Sequence, residues 1–269
     1  MTTVPTPDGI VVVGPAPELP RATWIAMFLR LLAIQGSWNY ELLMGTGIGF
    51  CTEPALRLLP EGPTGAPYRE ALARESRYFN AHPYLAALAV GALSRAELDR
   101  VQPATIERFR IALCGPLGSI GDRMVWAGWL PCCSLLALAL FGLGCRPLVV
   151  VGTFLVVYNA GHLALRAWGL RAGYRAGLRL AGTLGMPFFR RGPEVLARTG
   201  ALLAGIALPL ALARVIGPGR REPLIVGGVL IVTVAGAIVL TRRRGVVEGW
   251  QLALAILAAY VLYAVLAHG

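Results

Sequence analysis

Seven consecutive residues, Gln35-Gly36-Ser37-Trp38-Asn39-Tyr40-Glu41, set two amides, a carboxylate and two large aromatic rings side by side. These types suit a hydroxyl-rich ligand. Amide and carboxylate groups donate and accept in pairs, while an aromatic ring covers the C–H face of a pyranose. If this stretch is helical, Gln35 and Asn39 lie four apart on one face, with Trp38 and Glu41 close by on the same turn. The same composition also suits a helix-end cluster at a membrane interface, where Trp and Tyr concentrate. Spacing alone does not separate the two.

Three further constellations carry polar chemistry. Phe79-Asn80-Ala81-His82-Pro83 ends a helix, because Pro83 biases His82 away from helical dihedrals and Asn80 can bond its own backbone. Gly115-Pro116-Leu117-Gly118-Ser119-Ile120-Gly121-Asp122 reads as a broken helix, the device by which membrane proteins expose backbone groups to a wet pathway. Asp122 beside Arg123 then suggests an ion pair at the mouth of the span that follows. Asn159, His162 and Arg166 fall on one helical stripe, as pathway residues or as interhelical hydrogen bonds. Gly45-Thr46-Gly47-Ile48-Gly49 lacks the preceding strand and following acid of a nucleotide loop.

The chain offers no Ser-His-Asp set, no paired carboxylates and no Walker motif. Its histidines, at 82, 162 and 268, come without partners at metal-ligand spacing, so neither a metal nor a cofactor is expected. Of the five cysteines, Cys132 and Cys133 are adjacent in an apolar run and read as small packing residues. No covalent chemistry is expected of this chain alone.

Composition sets the surroundings of these groups. The 269 residues are 56% hydrophobic and only 14% charged, with a mean hydropathy of +0.64, which places the chain in lipid. There an unsatisfied polar group costs roughly several kcal/mol, so the polar residues that persist need a reason. The net charge of +11 comes from arginines scattered between apolar runs, as for anchoring to anionic lipid; nucleic-acid binding is not expected.

The expected fold is an all-α integral membrane protein. Residues 1–20, with five prolines and two acids, read as a mobile tail that is neither signal peptide nor first span, and residues 21–269 as one membrane domain. Met124–Cys145, Pro147–Leu165, Pro223–Thr241 and Gly249–Ala267 each have spanning length; Thr199–Ala213 is shorter and carries Pro209, giving about four to five spans. The arginines at 166, 171, 175, 179, 190, 191 and 198 read as a basic cytoplasmic connection. In the N-terminal half, Ala22–Ile34 reads as an amphipathic interfacial helix and Tyr68–Phe79 as a charged surface helix. Tyr84–Leu93 is short enough for a re-entrant segment, and Ser94 with Glu97 has capping-box spacing for a helix start.

Taken in order, Gln35 to Glu41, Phe79 to Pro83 and Gly115 to Asp122 resemble the IID membrane subunit of the mannose/fructose/sorbose-family sugar phosphotransferase system. The likeness continues through Trp126, Asn159 and Gly169-Leu170 to Gly173-Tyr174. It implies a multi-pass protein of the bacterial inner membrane that pairs with a IIC subunit around the binding site and path of a hexose. IIA and IIB phosphocarriers would supply the phosphoryl group, and the IID chain itself would not be phosphorylated. On the matching positions, Gln35, Asn39, Glu41, Asn80 and His82 are implied substrate contacts. Gly115, Pro116, Gly121 and Asp122 are implied to shape the central turn and pathway. The chain departs from the family pattern at Leu42 (usually Arg), Ala81 (Thr), Gly118-Ser119 (Ala-Gly) and Arg123 (Ser). Arg123 raises a second reading, a transport-inactive regulatory or scaffold homologue.

Overall fold

The computed structural model describes residues 18–216, and among these no β-strand forms. The helices are α1 (Arg21–Leu31), α2 (Gly45–Leu56), α3 (Ala66–Glu75), α4 (Ala86–Leu98), α5 (Pro103–Gly121), α6 (Leu130–Gly142), α7 (Pro147–Ala176), α8 (Leu180–Leu184) and α9 (Pro187–Ile216). Proline marks the starts: Pro67, Pro103, Pro147 and Pro187 each stand at the first or second position of a helix, where a missing N–H leaves no bond unmade.

Three stretches are long and apolar enough to cross a membrane: Pro103–Gly142, Pro147–Leu184 and Pro187–Val215. The first covers the expected Met124–Cys145 span as far as Gly142, the second contains the one that starts at Pro147, and the third resolves Thr199–Ala213 as part of one continuous helix. Pro223–Thr241, Gly249–Ala267 and residues 1–17 of the expected tail lie outside the described residues.

Several expectations need correcting. The Gly-Pro stretch does not break its helix: α5 runs through Pro116 to Gly121 and widens into a π-helix at Asp122–Trp129 before α6 continues. A helix keeps its backbone bonds internal, so it tolerates proline and glycine better than the turn reading assumed. The short apolar segment after Tyr84 is not followed by a new helix start. It belongs to α4, every residue of which from Ala86 to Glu97 is buried in protein. Ser94 and Glu97 are interior to that helix, and Glu97 is held by Arg74 through two bonds of 2.7 and 2.8 Å. The supposed basic connection is helical; Arg166, Arg171 and Arg175 ride on α7 and Arg190, Arg191 and Arg198 on α9.

By contacts, the described chain falls into two units. Residues 18–134 and 152–201 surround α4. Small side chains on α4 let its neighbour approach to backbone contact: a Cβ on Gly91 would lie 2.2 Å from the Leu170 carbonyl oxygen, and one on Gly173 2.1 Å from that of Leu88. Ion pairs lock the surrounding helices. Glu53 of α2 accepts from Arg30 of α1 at 2.7 Å, from Arg57 at 2.5 Å and from the Tyr68 hydroxyl of α3 at 2.9 Å. Burial pushes its carboxyl up, but those three donors prevail and hold it below the usual carboxylate range. Fully buried Glu75 of α3 meets fully buried Arg110 of α5 at 3.1 Å.

The other unit comprises residues 135–151 and 202–216 of the described chain. Its turn passes through Gly144 at φ +88, which suits glycine, and Arg214 of α9 lies 5.1 Å above the Phe141 ring.

Candidate functional site

The three motifs meet around Phe79 and His82. After α1 the chain makes an irregular loop, so Gln35 and Asn39 share no helix face, and Gln35, Trp38, Asn39, Tyr40 and Glu41 are all exposed in the single chain. Asn39 shapes this loop: its Oδ1 accepts from the Glu41 and Leu42 amides at 3.0 and 2.9 Å, and its Nδ2 donates to the Ser37 carbonyl at 3.2 Å. Leu43 sits at φ 49, a left-handed backbone that a branched side chain rarely adopts. Backbone bonds on both sides enforce it. The Phe79 amide donates to Leu42 at 3.2 Å and the Met44 amide to Phe79 at 3.0 Å, which ties the polar loop to the Asn-x-His-Pro segment.

The third motif joins through His82. Its amide donates to the Leu117 carbonyl at 3.3 Å, and a Cβ on Gly121 would fall 2.1 Å from its own Cβ. Gly121 is therefore required for His82 to lie against α5. Gly115, Pro116 and Asp122 are exposed on the same helix, as is Asn80 beside the buried His82. Asp122 and Arg123 do not pair; Arg123 lies along the helix surface and donates to the Ser119 carbonyl at 3.2 Å.

His82 opens onto an aromatic cluster that sequence reasoning grasped only in part. Its ring lies 4.9 Å from Trp126 and 5.0 Å from Tyr84. Tyr84 stacks on His162 at 4.9 Å, shares a 2.7 Å hydroxyl hydrogen bond with Tyr158, and has the Arg166 guanidinium 4.7 Å above its ring. Arg166 also donates to the Leu31 carbonyl at the end of α1, immediately before the polar loop. Among the described residues it pairs with no carboxylate. The Asn159, His162, Arg166 stripe signalled this cluster, with Asn159 and His162 bonded at 2.9 Å. Nothing in the spacing disclosed Tyr84, which only its position after Pro83 connects to the motif.

Burial, assisted by the Arg166 charge, lowers His82 to about 4, so its imidazole is neutral at physiological pH. Its Nδ1 accepts from the Tyr84 amide at 3.2 Å, which leaves Nε2 as the protonated nitrogen. That Nε2, Trp129 Nε1, His162 Nδ1 and Arg166 Nε are buried with no partner among the described residues. The arrangement can bind and orient polar groups. The described residues hold no cluster of three or more His, Cys, Asp and Glu side chains able to bind a metal.

The mannose-specific EIID component of the Escherichia coli (strain K12) phosphotransferase system is 29% identical over 221 residues, 76% of each chain. The fructose permease IID component of Bacillus subtilis (strain 168) is 31% identical over 61% of this chain and 60% of its own. A chain in the solved complex of the mannose transporter ManYZ with microcin E492 shares the fold, with a TM-score of 0.54 at 23% identity, over 92% of this chain and 96% of that one. The family described as PTS system mannose/fructose/sorbose family IID component matches residues 18–196, the stretch that holds all three motifs and the aromatic cluster. The chain belongs to that family of phosphotransferase-system membrane components.

Proposed function

We propose that this IID component works with a IIC subunit in the bacterial inner membrane, where the two form the binding site and path of a hexose of the mannose/fructose/sorbose class. IIB, recharged by IIA from phosphoenolpyruvate, phosphorylates the sugar during uptake. The observation that carries the reading is the coupling of the exposed polar loop, through Phe79 and His82, to a helix long and apolar enough to span. Gln35 and Glu41 make no side-chain hydrogen bond among the described residues and stand on an exposed loop, available to a ligand or partner. Asn39 shapes that loop, and Asn80 and His82 follow closely after Phe79, which is bonded to it. Gly121 seats His82, while Gly115, Pro116 and Asp122 line the exposed side of the same helix.

The scaffold reading gains nothing from Arg123, whose side chain follows its own helix and leaves the His82 cluster untouched. Uptake of radiolabelled mannose, fructose and sorbose should depend on phosphoenolpyruvate and on both this gene and that of its IIC neighbour. If no sugar shows that dependence, the transport reading fails.

A further inference from the structure

Beside the His82 cluster lies a half-open cavity of about 470 Å³ whose lining includes Tyr84, Trp129, His162, Phe188, Arg191 and Val195. Its size is that of a ligand site, but its walls are almost wholly apolar. A hexose placed here would bring a ring of hydroxyls to a surface able to partner very few of them. We infer that the cavity holds an acyl chain of an anionic glycerophospholipid, with the lipid phosphate at Arg191.

Three features select that occupant. The apolar body of the cavity matches a hydrocarbon chain, and it opens beside helices apolar enough to cross a membrane. Arg191 is exposed in its lining, pairs with no carboxylate among the described residues, and sits in the first turns of α9, where an arginine can extend its head toward anionic lipid. The wall also holds one unpartnered donor and one unpartnered acceptor. The Trp129 indole N–H has no partner among the described residues. Asn159 directs its amide nitrogen to the Leu155 carbonyl at 2.7 Å, so its oxygen faces His162 Nε2, which must donate. His162 Nδ1 is left with a lone pair and no partner. The ester carbonyl and the head-group hydroxyl of a phosphatidylglycerol supply the complementary pair. This site is independent of the sugar reading.

The test uses the complex of this chain with its IIC neighbour in nanodiscs doped with dibrominated phosphatidylglycerol or phosphatidylcholine. Quenching that is lost in Trp129→Phe isolates the cavity. The phosphatidylglycerol should quench that component at the lower mole fraction. Arg191→Gln, at an exposed position, should reduce the preference about fivefold. Val195→Phe, also exposed, should fill the mouth without adding an indole and weaken quenching by both lipids. If the Trp129 component is not quenched, protein covers the cavity; if both lipids quench it equally, only ordinary surrounding lipid reaches it. Either result overturns the proposal, as does indifference to both substitutions.

Discussion

Asn39 engages both ends of its amide within the loop, so its contribution to any site is the loop's shape. Asn39→Ala orphans two amides and, by analogy with lost caps, costs about 1 kcal/mol locally. Asn39→Asp keeps the accepting oxygen. Hexose uptake should therefore fall several-fold in the alanine variant and remain near wild type in the aspartate variant, at equal membrane abundance by immunoblot. His82 makes a different prediction. Its folded value of about 4 lies below the ordinary 6.5, so folding releases a proton between those values and stability falls as pH drops through that window. The full effect is roughly 3 kcal/mol. His82→Asn should flatten the acid-side loss of apparent Tm in the purified complex and leave the melting curve unchanged in shape above pH 6.5.

At the scale of elements, α3, α4 and α5 meet at Glu75, Glu97 and Arg110. Burial, aided by Glu97 and opposed by Arg110, pushes Glu75 up to about 8 from its ordinary 4.5. The folded state then binds the extra proton, and stability falls as pH rises from 4.5 to 8, the reverse of His82. Glu75→Gln should remove that slope and cost less than about 1 kcal/mol near neutrality, because Arg110 keeps Glu107 at 3.6 Å and the Glu75 and Arg77 carbonyls at 3.1 Å each. Arg110→Met, which strips those acceptors of their donor, should cost roughly 3–5 kcal/mol. Melting both variants between pH 5 and 9 checks the pair. Much of this layer was illegible in the sequence for a physical reason. Charged residues at 74 and 75 read as part of a surface helix because their partners, Glu97 and Arg110, come from other helices, up to 35 positions away. The glycines and Pro116 read as a break, although Gly115 and Gly118 meet open space and only Gly121 answers a close approach. Apolar length, by contrast, was legible: the two spans starting at Met124 and Pro147 needed only composition and the reach of a helix.

Across the whole of the larger unit, the motif residues were recognisable because each serves a contact between distant segments: Phe79 with the polar loop, His82 with α5, Gly173 with α4. Arg166 joins two further segments of this unit, α1 and the Tyr84 cluster; its stripe with Asn159 and His162 signalled the cluster, but the bond to α1 reaches 135 positions back and no spacing disclosed it. Arg166 is buried on α7, caps the end of α1, and covers Tyr84. The carbonyls that end a helix carry partial negative charge, so a guanidinium there offsets part of its own desolvation without a carboxylate. Lysine can reproduce the charge and one bond but not the flat stacking over a ring. Arg166→Gln should therefore lower stability by about 1–3 kcal/mol, through the lost bond to the Leu31 carbonyl, which keeps only the Ile34 amide at 3.5 Å, and the lost cation over Tyr84, with Arg166→Lys intermediate. Because the bond anchors the start of the polar loop, uptake should fall further than abundance in both variants, and the KM for hexose should rise. A loss of abundance that accounts for all lost uptake, with KM unchanged, would make Arg166 a packing residue with no influence on the loop.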